Sequence, residues 1–311
     1  MRVSSNSFSN QFLDQLRSLT ARQSRLQTQA ATGQRIQTAD DDPAAMQRVL
    51  GLQAEGAGIA QFKKNISSLA DKASASYDLM RGLKKISDRV GELATLSDGL
   101  RSPEELKIYA TEVGHLIEQA AQLVNGKHNG DYLFGGTRSD QPPFTVAKDA
   151  SGTVTSVGYV GNTDVPSVEA AEGLLMSVQV PGANTTGTGE RGLVSDSRTG
   201  ADFFAHMIQF QSHLLAGDTA SVAATDRAAF ARDEENLVLQ MGSNGAVQSR
   251  LEAAQSIAGS RADAVENLVS KEADADLAQT LVQLNQAQTA YQAALQSGAS
   301  IMQLSLLNYL H

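Results

Sequence analysis

The sequence predicts a mainly α-helical protein of long antiparallel helices. It predicts a terminal coiled coil formed by both chain ends and a small β-rich domain inserted in the middle. Three observations carry this. Apolar residues recur at helical spacing near both ends. Four of the six prolines, Pro142, Pro143, Pro166 and Pro181, crowd one central stretch, and none follows Pro181. Strand-like runs also fall in that stretch, between segments with helix-start signals.

The N-terminal element is read from Phe12, Leu16, Leu19, Leu26, Ala30 and Gly33, which keep a four-three rhythm with Gln23 in the one polar slot. That spacing lays one apolar stripe along a helix. Asp40-Asp41-Asp42-Pro43 reads as a helix start, with a carboxylate cap, acid near the positive helix end and proline in the first turn. A helix is expected from Ala44 to Leu100, although Gly51, Gly56 and Gly58 are costly inside one unless they permit close approach. Ser102-Pro103-Glu104-Glu105 restarts the helix, and Asn125-Gly126 ends it.

From Gln141 to Pro181 the pattern changes. Phe144-Thr145-Val146 and Thr153-Val154-Thr155 flank Asp149-Ala150-Ser151-Gly152, the signature of a β-hairpin. Val157, Tyr159 and the run Leu174 to Val180 are further strand candidates, and Asn184 to Gly189 reads as a loop with little to bury. Helix returns at Ala201 with Phe203, Met207, Phe210 and Leu214 on one side. Gly242-Ser243-Asn244-Gly245 is expected to break the chain before a long final helix.

That final helix has the most unusual composition. Residues 277–311 contain no Asp, Glu, Lys or Arg, although charged residues make up 19% of the chain. Leu277, Leu281, Leu284, Ala287, Tyr291, Ala294, Gly298 and Ile301 form one stripe at spacings of three and four. Gln, Asn, Ser and Thr occupy the other faces and can hydrogen-bond without the desolvation penalty of an ion. Such a helix suits a crowded protein environment. An ordinary core helix would also fit the stripe, whereas a membrane span needs about 20 mostly apolar residues in a row, and here Gln or Ser recurs every few positions. Residues 1–40 carry five arginines against two aspartates, and the stretch from Leu251 onward carries six acids against Arg261 and Lys271. The basic and acidic ends, each with a seam, are expected to pair.

Composition narrows the function. A net charge of −9 argues against a general nucleic-acid binder, and no cysteine is present for disulfide or thiol chemistry. No apolar segment behind a basic start reads as a cleavable signal. His206 and His213 share a helix face, with Asp202 and Asp218 near, but a spacing of seven is not that of a helical zinc pair, so exposed or partner-facing histidines are expected. Asp40, Asp41 and Asp42 lack the alternation of a calcium loop. Gly126-Lys127-His128-Asn129-Gly130 departs from the phosphate-loop pattern and reads as a turn. No catalytic, cofactor-binding or metal site is assigned.

Several motifs together resemble the flagellin family. They are Met1-Arg2-Val3-Ser4, Thr32-Gly33-Gln34-Arg35-Ile36, Ala39-Asp40-Asp41-Asp42-Pro43-Ala44, Asp131-Tyr132-Leu133-Phe134-Gly135-Gly136-Thr137 with Pro142-Pro143-Phe144, Asp274-Ala275-Asp276-Leu277, and Ser305-Leu306-Leu307-Asn308-Tyr309-Leu310. Their pattern is that of the family's hook–filament junction branch, and they cover residues 1–145 and 200–311. The resemblance implies a structural, non-enzymatic adaptor that self-assembles as a ring between hook and filament and lets flagellin polymerise. It implies export through the flagellar type III pathway without a cleaved signal, to an extracellular site on the flagellum. Implied partners are further copies of the chain, hook-associated protein 1, flagellin and a cytoplasmic export chaperone, with no nucleic acid and no membrane insertion. Alternatives are a short flagellin and a hydrolase on a flagellin-like scaffold, though the His-Glu-x-x-His of such peptidases is absent. The expected domains are 1–40 with 270–311 for terminal assembly, 41–137 with 201–269 for a helical rod, and 138–200 for an outward β-rich insert. The expected assembly seam is Phe12, Leu16, Leu19, Leu26, Leu277, Leu281, Leu284, Tyr291, Ile301, Leu306 and Leu307.

Overall fold

The computed structural model describes residues 4–97, 99–150 and 152–309. It is 66% helical and divides into two compact units, residues 1–58 with 261–311, and residues 59–260. No described helix is long and apolar enough to cross a membrane.

The terminal unit contains α1 (Ser4–Thr32), the start of α2 (Pro43–Leu96), the end of α6 (Arg227–Ala273) and α7 (Leu277–Tyr309). Gly33, at φ +72°, closes α1 in the left-handed conformation that glycine adopts without a Cβ penalty. The chain then crosses the α6–α7 junction. Gln34 and Asp274 form an antiparallel bridge, Arg35 donates its N–H to the Ala273 carbonyl at 2.6 Å, and Ala275 donates to that of Gly33 at 2.8 Å. Asp42 accepts the Ala45 N–H at 3.0 Å, so the acid-proline start of α2 caps as the sequence implied. The helix runs unbroken through Gly51, Gly56 and Gly58. Only Gly56 has a close neighbour, with Val265 Cγ1 3.6 Å from where a Cβ would stand.

The second unit adds α3 (Pro103–Val124), α4 (Phe203–Ala216), the short turn α5 (Thr219–Ser221) and a π-helical turn at Val222–Asp226. The Ser102–Glu105 capping box starts α3. Its main core joins Met80, Leu83 and Leu93 of α2 to Val113 and Ile117 of α3, Met207 and Phe210 of α4, and Phe230 and Leu237 of α6.

Between α3 and α4 lie β1 (Lys127–His128), β2 (Asp131–Tyr132), β3 (Phe144–Lys148), β4 (Val154–Tyr159), β5 (Val168–Ala171), β6 (Leu174–Met176), β7 (Ala183–Asn184), β8 (Ser195–Asp196) and β9 (Ala201–Asp202). They form three antiparallel hairpins and a three-stranded sheet ordered β7-β8-β9. The hairpin β3–β4 occupies the expected residues, with Phe144 opposite Tyr159 and Gly152 at φ +86° in its turn.

Three expectations need correction. The β region is not a separate compact unit: the Phe144 ring lies 5.7 Å from that of Phe204, and Asn125 exchanges two 2.9 Å hydrogen bonds with the Phe144 backbone. Phe144 and Val154 of this small hairpin are thus buried in the helical core, the packing a two-stranded sheet needs for stability. Second, Gly242 to Gly245 does not break the chain. Glycine costs only about 1 kcal/mol in a helix interior, and α6 continues to Ala273, where the turn ends as Asp276 accepts the Gln279 N–H. Third, the loop from Asn184 is organised around a buried side chain. Asn184 donates to the Thr188 and Glu190 carbonyls and accepts from the N–H groups of Thr186 and Gly187.

Because nothing lies within 4 Å of a Cβ built at Gly58 or Gly259, alanine at either site should raise helix stability by about 0.5–1 kcal/mol. The urea midpoint of each variant checks this, and a lowered midpoint would show that the glycines serve packing.

Candidate assembly surface

The terminal unit brings most of the expected seam together. In α1 the shielded positions are Phe12, Leu16, Leu19, Gln23, Leu26, Ala30 and Gly33, the same positions as the sequence stripe. Helix α7 runs antiparallel to it: Phe12 packs beside Gly298, and Gln34 bridges to Asp274. The contact at Gly298 is backbone-close, because a Cβ there would stand 2.2 Å from Phe12 Cζ.

On α7 the inward positions are Thr280, Leu284, Ala287, Tyr291, Ala294 and Gly298. Leu284 and Tyr291 therefore face α1, whereas Leu277 and Leu281 are about half exposed, at 49% and 51%. Thr280 is buried in their place, and its hydroxyl donates to the Asp276 carbonyl. Ile301, Leu306 and Leu307 lie outside the residues whose side chains are described.

The expected charge pairing also takes a different place. Since α7 is uncharged, the ion pairs of this unit lie among the other helices and the segment between α1 and α2. Arg25 pairs with Asp41, Arg48 with Glu272 at 2.9 Å, and Arg261 with Glu55 at 2.8 Å. These pairs are partly exposed and contribute little individually. Asp41 and Asp42 are held below the usual carboxylate range, chiefly by the backbone N–H groups of Gln37 and Ala45.

The pairing with α1 covers only one side of α7. Val282, Asn285, Gln286, Thr289, Ala290 and Ala293 line a shallow open groove on the opposite side. Val282 is 56% exposed, and Leu277, Leu281 and Leu295 lie along one flank. Scattered exposed leucines are ordinary; an uncharged 33-residue helix with apolar groups on three sides is not. The flank and groove were missed because the search followed a single stripe. Val282, Gln286, Thr289 and Ala293 repeat at four, three and four and were a legible second one.

The remaining candidates resolve into structure. Asn129 and Gly130, both at positive φ, form the tight turn of β1–β2. His206 and His213 are not exposed: each donates or accepts at Nδ1 to a separate buried carboxylate, Asp233 and Asp226, at 2.7 Å. No group of three metal-ligating side chains occurs among the described residues.

With this geometry in view, comparison with known proteins is informative. Residues 3–139 match the bacterial flagellin N-terminal helical region. The structure is similar to that of a protein from Vibrio parahaemolyticus assigned as a flagellar hook-associated protein, at TM-score 0.64 and 18% identity over 75% of this chain and 100% of the other. It is similar to FlgL of Xanthomonas campestris at TM-score 0.57 and 18% identity, over 69% and 98% of the two chains. For FlgL of Bacillus cereus the values are 0.56, 17%, 71% and 99%. No curated protein sequence matches the chain. Residues 3–139 thus resemble the flagellin N-terminal helical region, and the fold is similar to that of these three proteins.

Two outcomes are expected of the isolated chain. The side chains below 2% exposure that are largest in volume all lie between Ile66 and Leu214, so the terminal unit has little core of its own and α1 and α7 should be trimmed first by dilute protease. A full-length chain that resists digestion would contradict this. Gly298→Ala should destabilise the α1–α7 pair by about 1–3 kcal/mol through overpacking against Phe12, seen as faster cleavage of α1 than in the parent.

Proposed function

We propose that this protein is a structural adaptor of the bacterial flagellum. It assembles as a ring of identical chains at the junction of hook and filament and offers flagellin a surface on which to polymerise. The observation that carries this reading is α7, a long uncharged helix with one side covered by α1 and its other faces open. In water such faces leave amides and apolar groups without their best partners; in a polymer wall they would be buried without any charge to desolvate. The flagellin-type N-terminal region and the fold shared with hook-associated proteins support the same reading.

In this role hook-associated protein 1 would adjoin the ring on the hook side and flagellin on the filament side. A cytoplasmic chaperone would cover the terminal helices before export through the flagellar type III channel. The product is extracellular, and its work is packing rather than chemistry. The family match would also suit a short flagellin, and the two roles separate in cells lacking the chain. An adaptor leaves hooks without filaments and flagellin shed to the medium, whereas loss of a minor flagellin leaves filaments in place. The hydrolase reading would return only with stoichiometric zinc in the purified protein.

Val282→Asp and Leu281→Asp test the surface directly. Both side chains are exposed in the single chain, so the fold and secretion should be unchanged. Assembly should fail, because burying an unpaired carboxylate costs several kcal/mol. Normal filaments in both variants would remove this face from the interface. Leu284→Asp, on the α1-facing side, should in addition lower the helicity of the isolated chain.

A short insertion between Asp149 and Gly152, in the exposed turn of β3–β4, should leave motility intact, since exposed loop tips tolerate insertion. Loss of filaments from a soluble insertion variant would put that turn in a contact.

A further inference from the structure

Helix α4 is fastened at both ends to the segment that leads into α6, and both fastenings use an imidazole. Near its start, His206 Nδ1 lies 2.7 Å from Asp233 Oδ2. The other oxygen of Asp233 accepts the N–H of Asp202, the residue that caps α4, at 2.8 Å. Two turns later His213 Nδ1 lies 2.7 Å from Asp226 Oδ2. Asp226 closes the π-helical turn, the one stretch where this region departs from regular helix. The carboxylate side chains of Asp233 and Asp226 are 0% and 3% exposed, while the imidazoles keep an open edge at 18% and 20%. Each ring can therefore exchange a proton with solvent while its partner cannot move into water.

We infer that the His206–Asp233 pair forms an acid-tightened clasp, which holds α4 against the start of α6 when that imidazole is charged and loosens as the medium turns alkaline, with the His213–Asp226 bond as a second fastening at the far end of α4. In acid the attraction of imidazolium for carboxylate adds to the hydrogen bond; in alkali the hydrogen bond to the carboxylate remains and that attraction is gone. What the clasp holds is substantial: α4 contributes Phe203, Phe204, Met207, Phe210 and Leu214 to the main core, and Phe204 seats the β3–β4 hairpin through Phe144.

The charged surroundings agree. Asp202 adds to the pull of Asp233 on His206, and Arg232 opposes it. Asp218 lies beside His213. On the other elements against α4, Glu112 and Glu118 of α3 are engaged with Arg89 and Lys148, and β4 carries no charge. Arg227 is turned to the carbonyls of Ala94 and Thr95. The His206 ring is held above its ordinary value, chiefly by the hydrogen bond to Asp233, and burial pushes Asp233 up despite that partner. Both shifts mean that the folded chain binds protons more tightly than the unfolded one. For His206 the stabilisation is complete below the ordinary imidazole value and is lost as pH rises through the raised one.

The test is native-state hydrogen exchange of the α4 amides at pH 5.5 and pH 8.5, corrected for intrinsic exchange. The unmodified chain should lose protection severalfold at the higher pH, the direction that a raised imidazole value requires. The double variant His206→Asn, His213→Asn keeps a neutral donor near each Nδ1 position and should show equal protection at both. Equal protection in the unmodified chain, or an undiminished pH effect in the double variant, overturns the clasp. Should the variant not fold, imidazole nitrogen resonances of the unmodified chain decide. Nδ1 should stay protonated throughout while Nε2 releases its proton, and release from Nδ1 would overturn the proposal.

Discussion

The missing charge on α7 is the constraint on which the terminal unit depends. Thirty-three consecutive helical residues without an acid or base have no strongly hydrated groups to hold their outer faces in water. Most helical stability in proteins comes from packing an apolar face rather than from propensity, and α1 supplies one such face. Phe12 against the bare backbone of Gly298 lets the two helices approach closely at the far end. The Gln34–Asp274 bridge and the crossing hydrogen bonds of Arg35 and Ala275 pin the near end. Register is thus fixed at two points, which defines where Val282, Leu281 and Leu295 project.

The second unit solves a different problem. Four helices meet in one apolar core that seats one hairpin through Phe144 and its Asn125 clamp, and a second cluster on α2 and α6 seats another through Ala170, Met176 and Val178. Among the described residues most buried polar groups have side-chain or backbone partners, as burial demands, with Ser177 Oγ, Gln179 Oε1 and Asn236 Oδ1 the exceptions. Asp196 is held by bidentate Arg198, Asn184 by its own loop, and Asn236 donates to the Gly192 and Leu193 carbonyls. This unit closes upon itself, and the terminal one does not.

Much of this was legible in the sequence where one local signal decides. The α1 stripe, the Asp-Asp-Asp-Pro start of α2, the Ser102 capping box and the β3–β4 hairpin all rest on residues close in the chain. Errors arose where distant residues decide. Gly242-Ser243-Asn244-Gly245 looked like a break, but packing along α6 outweighs the modest propensity loss. Leu277 and Leu281 fit the stripe by number, yet the buried face of α7 is centred on Thr280, Ala287 and Gly298, which leaves these two leucines on its flank. The two histidines looked solvent-facing because their carboxylates are 27 and 13 residues away. Arg35 of the basic end meets the Glu272 carbonyl in the acidic stretch, and Arg48, outside that basic end, takes the Glu272 carboxylate.

A surface intended for assembly has to satisfy two opposing demands. It must not unfold or aggregate while the chain is alone, and it must bury well when the chain is not. Charged faces would meet the first demand and fail the second, because each buried ion needs a partner to offset its desolvation. A fully apolar face would do the reverse. Glutamine, asparagine and threonine between single valines and leucines fall between these limits. They hydrogen-bond to water in the monomer and to neighbouring backbone or amides when covered, with no ionic penalty in either state. Specificity must then come from shape and register rather than from charge, which is why the two fixed points of the α1–α7 pair matter for the faces that neither helix covers.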